Sequence, residues 1–146
     1  MKEINRTAPY PKILLAEDDS DLRELLAFSL FRAGFSVTTC SNGLELLERL
    51  EPTPTPGEKI YDLVLTDLRM PALTGLEVLE TLHDLPRRPL FICMTAFGDS
   101  ATHARARKLG ASFTIDKPFD IDRLISLIDS LCPKEVNGAP HPRSAS

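Results

Sequence analysis

The sequence predicts a doubly wound α/β domain in which five parallel strands alternate with five helices. Two observations carry this prediction. Short apolar runs recur along the chain, and each is followed by a segment whose apolar residues have helical spacing. The chain has 146 residues, 42% of them hydrophobic, which is the size and composition of one globular domain with its own core. Right-handed crossovers between parallel strands then place helices on both faces of the sheet.

Strands are predicted where apolar or β-branched residues follow one another without helical spacing. The run PLFICM is the most uniformly apolar of these, which predicts a strand covered on both faces. In chain order, the predicted strands are residues 12–16, 35–40, 61–66, 89–94 and 112–116.

Helices are predicted from leucine and isoleucine stripes and from the residues that end them. Asp19 or Ser20 can cap the start of the first helix, and Gly34 stands just past its end. Gly110 closes the fourth helix in the same way. The predicted helices lie at about residues 20–33, 44–50, 76–82, 99–109 and 121–131.

The domain itself is predicted at residues 11–132, between an N-terminal extension, residues 1–10, and a flexible C-terminal tail, residues 133–146. Within it, residues 51–59 (EPTPTPGEK) carry three prolines at alternate positions and predict an extended surface loop.

Charge and cysteine content exclude several classes of function. The formal net charge of -4 has the wrong sign for a chain that binds nucleic acid or an anionic membrane directly. The three cysteines are odd in number and far apart, which fits neither a disulfide framework nor a zinc site. Because no leader-like or membrane-spanning apolar run occurs, we expect a cytoplasmic protein.

Polar residues stand at the C-terminal ends of four predicted strands, which is the edge where doubly wound sheets bind ligands. We therefore expect them to share one pocket. They are Glu17 and Asp18 after the first strand, Asp67 after the third, Thr95 after the fourth and Lys117 after the fifth.

This set of residues favours phosphoryl chemistry. Three carboxylates in one pocket raise one another's pKa unless a cation lies between them, and hard oxygen ligands favour Mg²⁺. The Thr95 hydroxyl and the Lys117 ammonium suit the oxygens of a phosphoryl group. No glycine-rich phosphate loop follows the first strand, so we do not expect a nucleotide donor. Asp67 is the best-placed side chain to accept the group as an acyl phosphate.

Five segments, KILLAEDD, DLVLTDLRMP with the following TGLEVL, FICMTA, KLGAS and DKPF, occur in this order at the predicted strand ends. From about Pro11 to Leu131 the sequence resembles the receiver domain of two-component response regulators. The resemblance implies a flavodoxin-like (βα)5 fold with strand order 2-1-3-4-5 and a cis bond between Lys117 and Pro118.

The resemblance also implies roles for individual residues, with Mg²⁺ as the cofactor. Asp67 would be the phospho-acceptor, and Thr95 and Lys117 would hold the phosphoryl oxygens. The metal site would comprise the acidic pair Glu17 and Asp18, with Asp18 a direct ligand, together with Asp67 and the backbone carbonyl of Arg69.

Partners follow from the same resemblance. The donor would be a phosphohistidine on a sensor histidine kinase or a phosphotransfer protein. The phosphorylated chain would switch its affinity for a downstream effector protein through the surface of its fourth helix, fifth strand and fifth helix, as a monomer or a phosphorylation-dependent dimer. Beyond its own phosphorylation and dephosphorylation no enzyme activity is expected.

One position departs from the family pattern. Receivers usually carry Tyr or Phe three residues before the lysine, where this chain has Thr114, and its aromatic residue, Phe113, comes one position earlier. Neighbouring strand residues face opposite sides, so we hypothesise that the aromatic switch of the family is absent or rewired here.

Alternative functions stay open to different degrees. The chain leaves no room for an effector after Pro133, which favours a single-domain regulator, yet TDLRMP and MTAFG resemble receivers joined to transcriptional activators, so it could be a fragment of one. A non-phosphorylated pseudo-receiver adaptor is a third alternative. A haloacid-dehalogenase-like phosphatase would need a second acid where Arg69 stands.

Overall fold

The computed structural model describes residues 10–51, 61–84, 88–96 and 100–133. Its helices and strands lie within two residues of the predicted bounds. The strands are β1 (Lys12–Ala16), β2 (Ser36–Cys40), β3 (Leu63–Asp67), β4 (Leu90–Ala96) and β5 (Phe113–Lys117). The helices are α1 (Ser20–Arg32), α2 (Gly43–Leu50), α3 (Gly75–Thr81), α4 (Ser100–Lys108) and α5 (Ile121–Leu131).

The predicted N-terminal extension, proline-rich loop and C-terminal tail fall outside the described residues except at positions 10, 51 and 133. The domain bounds therefore stay a prediction. In the part of the chain that the structure describes, no helix combines the length and the apolar character needed to cross a membrane.

The sheet is parallel throughout and has the order β2-β1-β3-β4-β5, as the resemblance implied. The chain runs outward from β1 to β2 and then returns to the other side of β1 to form β3. The loops after β1 and β3 therefore leave the sheet in different directions, which opens a crevice at its C-terminal edge. The predicted site residues lie at that edge.

Apolar side chains form a separate cluster on each face of the sheet. Helices α2, α3 and α4 pack on one face, where Val64, Phe91 and Cys93 point outward from the strands. Helices α1 and α5 pack on the opposite face against Leu65 and Met94. Strands β3 and β4 are thus covered on both sides, which confirms the double coverage predicted for β4.

Local backbone signals confirm the predicted helix ends. The Asp19 side chain caps α1 by accepting from the backbone amides of Asp21 and Leu22. Gly34 and Gly110, just past α1 and α4, have φ angles of 101° and 111°, a left-handed conformation that other residues adopt at a cost. The bond between Lys117 and Pro118 is cis.

The pairing of β4 with β5 settles the position of Phe113. The register runs without a bulge from the Ile92–Phe113 pair to the Ala96–Lys117 pair. Phe113 shares its strand face with Ile115, on the α5 side, and is 41% exposed. Thr114 faces the other side, so Phe113 does not take its place.

Candidate functional site

The ends of β1 and β3 bring three carboxylates together. Ala16 and Thr66 are register partners on these neighbouring strands, so the acids that follow them stand side by side. Oxygens of Glu17, Asp18 and Asp67 all lie within 4.8 Å of one another. The predicted convergence of these residues on one pocket is therefore present in the structure.

Lys117 reaches this cluster from the end of β5. Its Nζ donates to Oδ2 of Asp67 at 2.5 Å and to Oε1 of Glu17 at 2.9 Å. One ammonium group thus compensates part of the charge of three neighbouring carboxylates. The net charge of the pocket remains negative, which leaves it able to accept a cation.

Burial and the contacts between the two groups shift the pKa of both partners in the Glu17–Lys117 pair. Desolvation of the buried carboxyl raises the pKa of Glu17 and outweighs the hydrogen bonds that it accepts from Lys117 and from the Asp19 amide. Burial also opposes the charged form of Lys117. The hydrogen bonds and charges of Asp67 and Glu17 prevail, however, and raise the pKa of the lysine.

The Asp67 carboxylate is held in one orientation. Its Oδ1 accepts from the Arg69 backbone amide at 2.9 Å, while its Oδ2 accepts from Lys117. The start of α3 lies so close that a Cβ on Gly75 would stand 2.6 Å from the backbone oxygen of Asp67. Only glycine permits this approach between α3 and the end of β3.

A cleft of about 630 Å³ opens beside Asp67, so the carboxylate can be reached although its residue is only 6% exposed. The cleft has a polar floor and an apolar wall. Its lining comprises Asp19, Leu22, Leu25, Asp67, Arg69, Ala96, Lys117, Pro118, Phe119 and Ile121.

Thr95 lies one position beyond Met94, the register partner of Asp67. Its residue is fully buried, and its hydroxyl has no hydrogen-bond partner among the described residues. An unpaired buried hydroxyl carries a desolvation cost that a new acceptor would remove. Thr95 thus lies at the end of β4, the strand next to the one that carries Asp67, and its hydroxyl hydrogen is available to an acceptor.

The structure therefore gathers Glu17, Asp18, Asp67 and Lys117, and it places Thr95 one position beyond the register partner of Asp67. Arg69 contributes its backbone amide to Asp67, whereas the metal contact of its carbonyl stays a prediction. All the residue roles that the resemblance implied likewise stay predictions.

Two features of the site were missed in the sequence. The Arg23 guanidinium donates to the backbone oxygen of Glu17 at 2.8 Å and so supports the turn after β1. Leu22 and Leu25 form part of the cleft wall. A signal for the second feature exists, because α1 carries more apolar residues than one buried face needs, whereas no sequence pattern connects Arg23 with Glu17.

A scan against protein families matches residues 13–129 to the model described as response regulator receiver domain. Among curated proteins, the chain is 37% identical over 126 residues to a transcriptional regulatory protein CpxR homolog of Haemophilus influenzae, covering 86% of this chain and 52% of that protein. It is 36% identical over 119 residues to the DNA-binding transcriptional regulator NtrC of Escherichia coli, covering 80% of this chain and 24% of that protein. The chain thus spans about half or less of these relatives.

Solved structures agree with the fold. The crystal structure of FixJ-N is 30% identical with a TM-score of 0.71, over 83% of this chain and 92% of that one. The receiver domain of the Francisella response regulator 1452 is 26% identical with a TM-score of 0.73, over 83% of this chain and 95% of that one.

We predict that a divalent cation stabilises this chain and that Asp18 is required for the effect. Mg²⁺ at one hundred times its dissociation constant should raise the free energy of unfolding by about 2.7 kcal/mol. In Asp18→Asn, the metal-free protein should unfold at a higher temperature than the wild type, because the exposed acid no longer repels its neighbours, and Mg²⁺ should add little.

Thermal unfolding with and without Mg²⁺ measures both effects. Glu80→Gln, which removes an exposed acid of α3, is the matched control and should keep the full response to Mg²⁺. Equal stabilisation of Asp18→Asn and wild type would contradict the assignment.

The raised pKa of Glu17 predicts a pH-dependent effect of Glu17→Gln. In the folded chain this carboxyl binds its proton more tightly than in the unfolded chain, so its ionised form destabilises the fold. The advantage of Glu17→Gln in metal-free buffer should thus be absent below pH 4.5, grow as the pH rises through the folded pKa, and then stay constant.

Urea unfolding between pH 3 and 8 is the measurement. Glu45→Gln provides the opposite sign, because the Ser41 amide lowers the pKa of Glu45 in the folded chain. Relative to wild type, this variant should lose stability as the pH rises toward 4.5 and then keep a constant deficit. A Glu17→Gln advantage that is independent of pH would refute the electrostatic account.

Proposed function

The chain belongs to the response regulator receiver domain family, and from this premise we propose that it accepts a phosphoryl group on Asp67 from a phosphohistidine of a partner protein. The supporting observation is the orientation and accessibility of the Asp67 carboxylate. Its carboxylate is oriented by the Arg69 amide and by Lys117 at the floor of an open cleft, beside two further acids.

The transfer exchanges one bond to phosphorus for another. A carboxylate oxygen of Asp67 attacks phosphorus, the phosphorus–nitrogen bond to the donor histidine breaks, and the imidazole leaves with the electron pair and takes up a proton. The protein contributes mainly position and charge. Lys117, now hydrogen-bonded to Oδ2, lies close enough to pair with the oxygens of the incoming group.

We propose Mg²⁺ as the cofactor because the cluster of Glu17, Asp18 and Asp67 offers carboxylate oxygens alone, the ligand type that this ion prefers. The Arg69 carbonyl is proposed as a further ligand. When bound, the ion supplies positive charge that offsets the charge of the phosphoryl oxygens. Glu17, Asp18 and Asp67 would hold it.

Thr95 is proposed to bind a phosphoryl oxygen with its buried hydroxyl. In the present structure this donor has no partner among the described residues, so phosphorylation would give it one. The gain exists only in the phosphorylated state. It can therefore shift the chain toward a second conformation, which changes the affinity of the α4–β5–α5 surface for an effector.

Hydrolysis of the acyl phosphate resets the chain, and we propose no enzyme activity beyond this cycle. A phosphatase acting on other substrates is disfavoured because Arg69, rather than a second acid, stands two residues after Asp67. We propose that the reaction takes place in the cytoplasm, together with its phosphohistidine donors, which are sensor histidine kinases or phosphotransfer proteins.

The output admits two proposals. As a single-domain regulator, the chain would bind a separate effector protein, as a monomer or a phosphorylation-dependent dimer. The second proposal is that it is the receiver part of a longer transcriptional regulator, and one observation favours it. The curated relatives are transcriptional regulators of which the chain covers 52% and 24%.

We further propose that the donor docks on α1. Three large apolar side chains on this helix are half exposed, namely Leu25 at 50%, Phe28 at 59% and Phe31 at 53%. Leu25 also lines the cleft that contains Asp67. A donor protein that covers these side chains would bury apolar surface while its phosphohistidine enters the cleft.

Incubation with acetyl phosphate and Mg²⁺ should add one phosphoryl group to the intact chain, and hydroxylamine should remove it because it is an acyl phosphate. Intact mass spectrometry is the readout. Asp67→Asn should gain nothing, because an amide is not a nucleophile toward phosphorus. Wild-type chain that gains no mass in the presence of Mg²⁺ would favour the pseudo-receiver alternative.

Leu25→Ala should slow phosphotransfer from a phosphorylated histidine phosphotransfer protein by about tenfold, the loss expected when a central apolar contact is truncated. Its rate with acetyl phosphate should change less than about twofold, since that donor needs no docking surface. Leu44→Ala is a closely matched control, because Leu44 is 51% exposed and lies on α2, across the sheet. Equal slowing by both variants would contradict docking on α1.

A further inference from the structure

Helix α4 is anchored by less apolar packing than its neighbours. Ala106 is the one residue between Ser100 and Lys108 that the fold buries completely, and its side chain is a single methyl group. By contrast, α1 and α5 each bury two large aliphatic side chains, and α3 buries Val78 and Leu79. Polar contacts therefore account for a larger share of what holds α4 on the sheet.

His103 provides such a contact. Its Nε2 lies 2.6 Å from Oδ1 of Asp116, and its Nδ1 contacts the hydroxyl of Thr114, so one side chain of α4 binds two residues of β5. The His103 side chain is 17% exposed, whereas the Asp116 side chain is 40% exposed, so the imidazole is largely shielded from water and the carboxylate is only partly shielded.

The chemistry of the partners assigns the ring protons of the neutral imidazole. The Asp116 carboxylate can only accept, so Nε2 carries the hydrogen. Nδ1 then accepts from the Thr114 hydroxyl. A phenylalanine at position 114 would offer no such donor. Thr114 stands where receivers usually carry Tyr or Phe. It supplies one of the two contacts, or arms, of the bridge that His103 forms to Thr114 and Asp116.

The bridge lies beside the residue that is proposed to sense phosphorylation. Thr114 and Asp116 alternate on β5 and share the face that carries α4, and their register partners on β4 are Cys93 and Thr95. Asp116 is thus the neighbour of Thr95 across the strand pair. A shift of Thr95 toward Asp67 would change the surroundings of one end of the bridge.

We propose that His103 is a positioning residue that latches α4 to β5 in the unphosphorylated chain, and that the engagement of Thr95 by the phosphoryl group releases this latch. The coupling rests on the proposed phosphorylation of Asp67. The latch replaces a hydrophobic anchor by two hydrogen bonds, which depend on geometry and break with a small displacement. The attachment of α4 to β5 thereby depends on whether Asp67 is phosphorylated.

Hydrogen exchange of the α4 amides, measured with and without acetyl phosphate and Mg²⁺, tests the proposal. Intact mass on the same samples records phosphoryl uptake. In wild type, phosphorylation should accelerate exchange in α4. In unphosphorylated His103→Ala, exchange there should already be about tenfold faster than in wild type, with no further response to phosphorylation, because the latch is lost in both states.

Three variants control this result. His83→Ala removes an exposed histidine after α3 and should behave like wild type. Thr114→Val keeps the branched shape but removes one arm, so its exchange should lie between wild type and His103→Ala. His103→Gln retains a donor for Asp116 and should restore part of the protection. Nitrogen NMR of the wild-type imidazole should show the proton on Nε2, and a proton on Nδ1 alone would overturn the assignment of the two arms.

The outcomes separate the two proposals. If wild type gains a phosphoryl group and both His103→Ala and Thr114→Val respond in α4 as wild type does, the latch is wrong while the proposed function stands. If wild type gains no phosphoryl group, the proposed function and the coupling both fail. Hydrogen exchange of the α4 amides in the unphosphorylated proteins then decides whether His103 holds α4. Equal exchange rates in His103→Ala and His83→Ala would exclude that role as well.

Discussion

The candidate site depends on one electrostatic conflict, the packing of three carboxylates close to the Lys117 ammonium group at the C-terminal edge of the sheet. Left to themselves, Glu17, Asp18 and Asp67 would separate into solvent. The fold prevents this because the acids directly follow β1 and β3, whose paired residues are buried on both faces. Apolar packing of the strands thus holds the charges where a cation can bind.

The position of the carboxylate cluster follows from the topology of the sheet. Strands β2 and β3 lie on opposite sides of β1, so the loops at this edge diverge and leave room for a ligand. Lys117 can reach Asp67 from two strands away because a long side chain projects along the edge. The same arrangement leaves the apolar wall formed by Leu22, Leu25 and their neighbours facing the cleft.

Helix α4 is attached to the sheet differently from α1 and α5. Helices α1 and α5 are fastened by large aliphatic side chains around Leu65 and Met94, which suits a rigid platform beside the acceptor. Helix α4 is fastened by Ala106 and by the His103 bridge. Because hydrogen bonds fail over smaller displacements than apolar contacts, a conformational response is most easily concentrated at α4.

The sequence by itself determined the elements, their order and most of the candidate site. Periodicity placed all ten elements, since apolar spacing directly reflects which face each segment buries, and the polar residues after the strands marked the edge where Glu17, Asp67 and Lys117 meet. Only the tertiary structure decided how these groups pair. The His103 bridge joins residues 11 and 13 positions apart, and the Lys117–Glu17 contact joins residues 100 apart. Such contacts depend on which strands become neighbours and on which residues distant in the chain then meet, whereas side-chain periodicity indicates only the face that each segment buries.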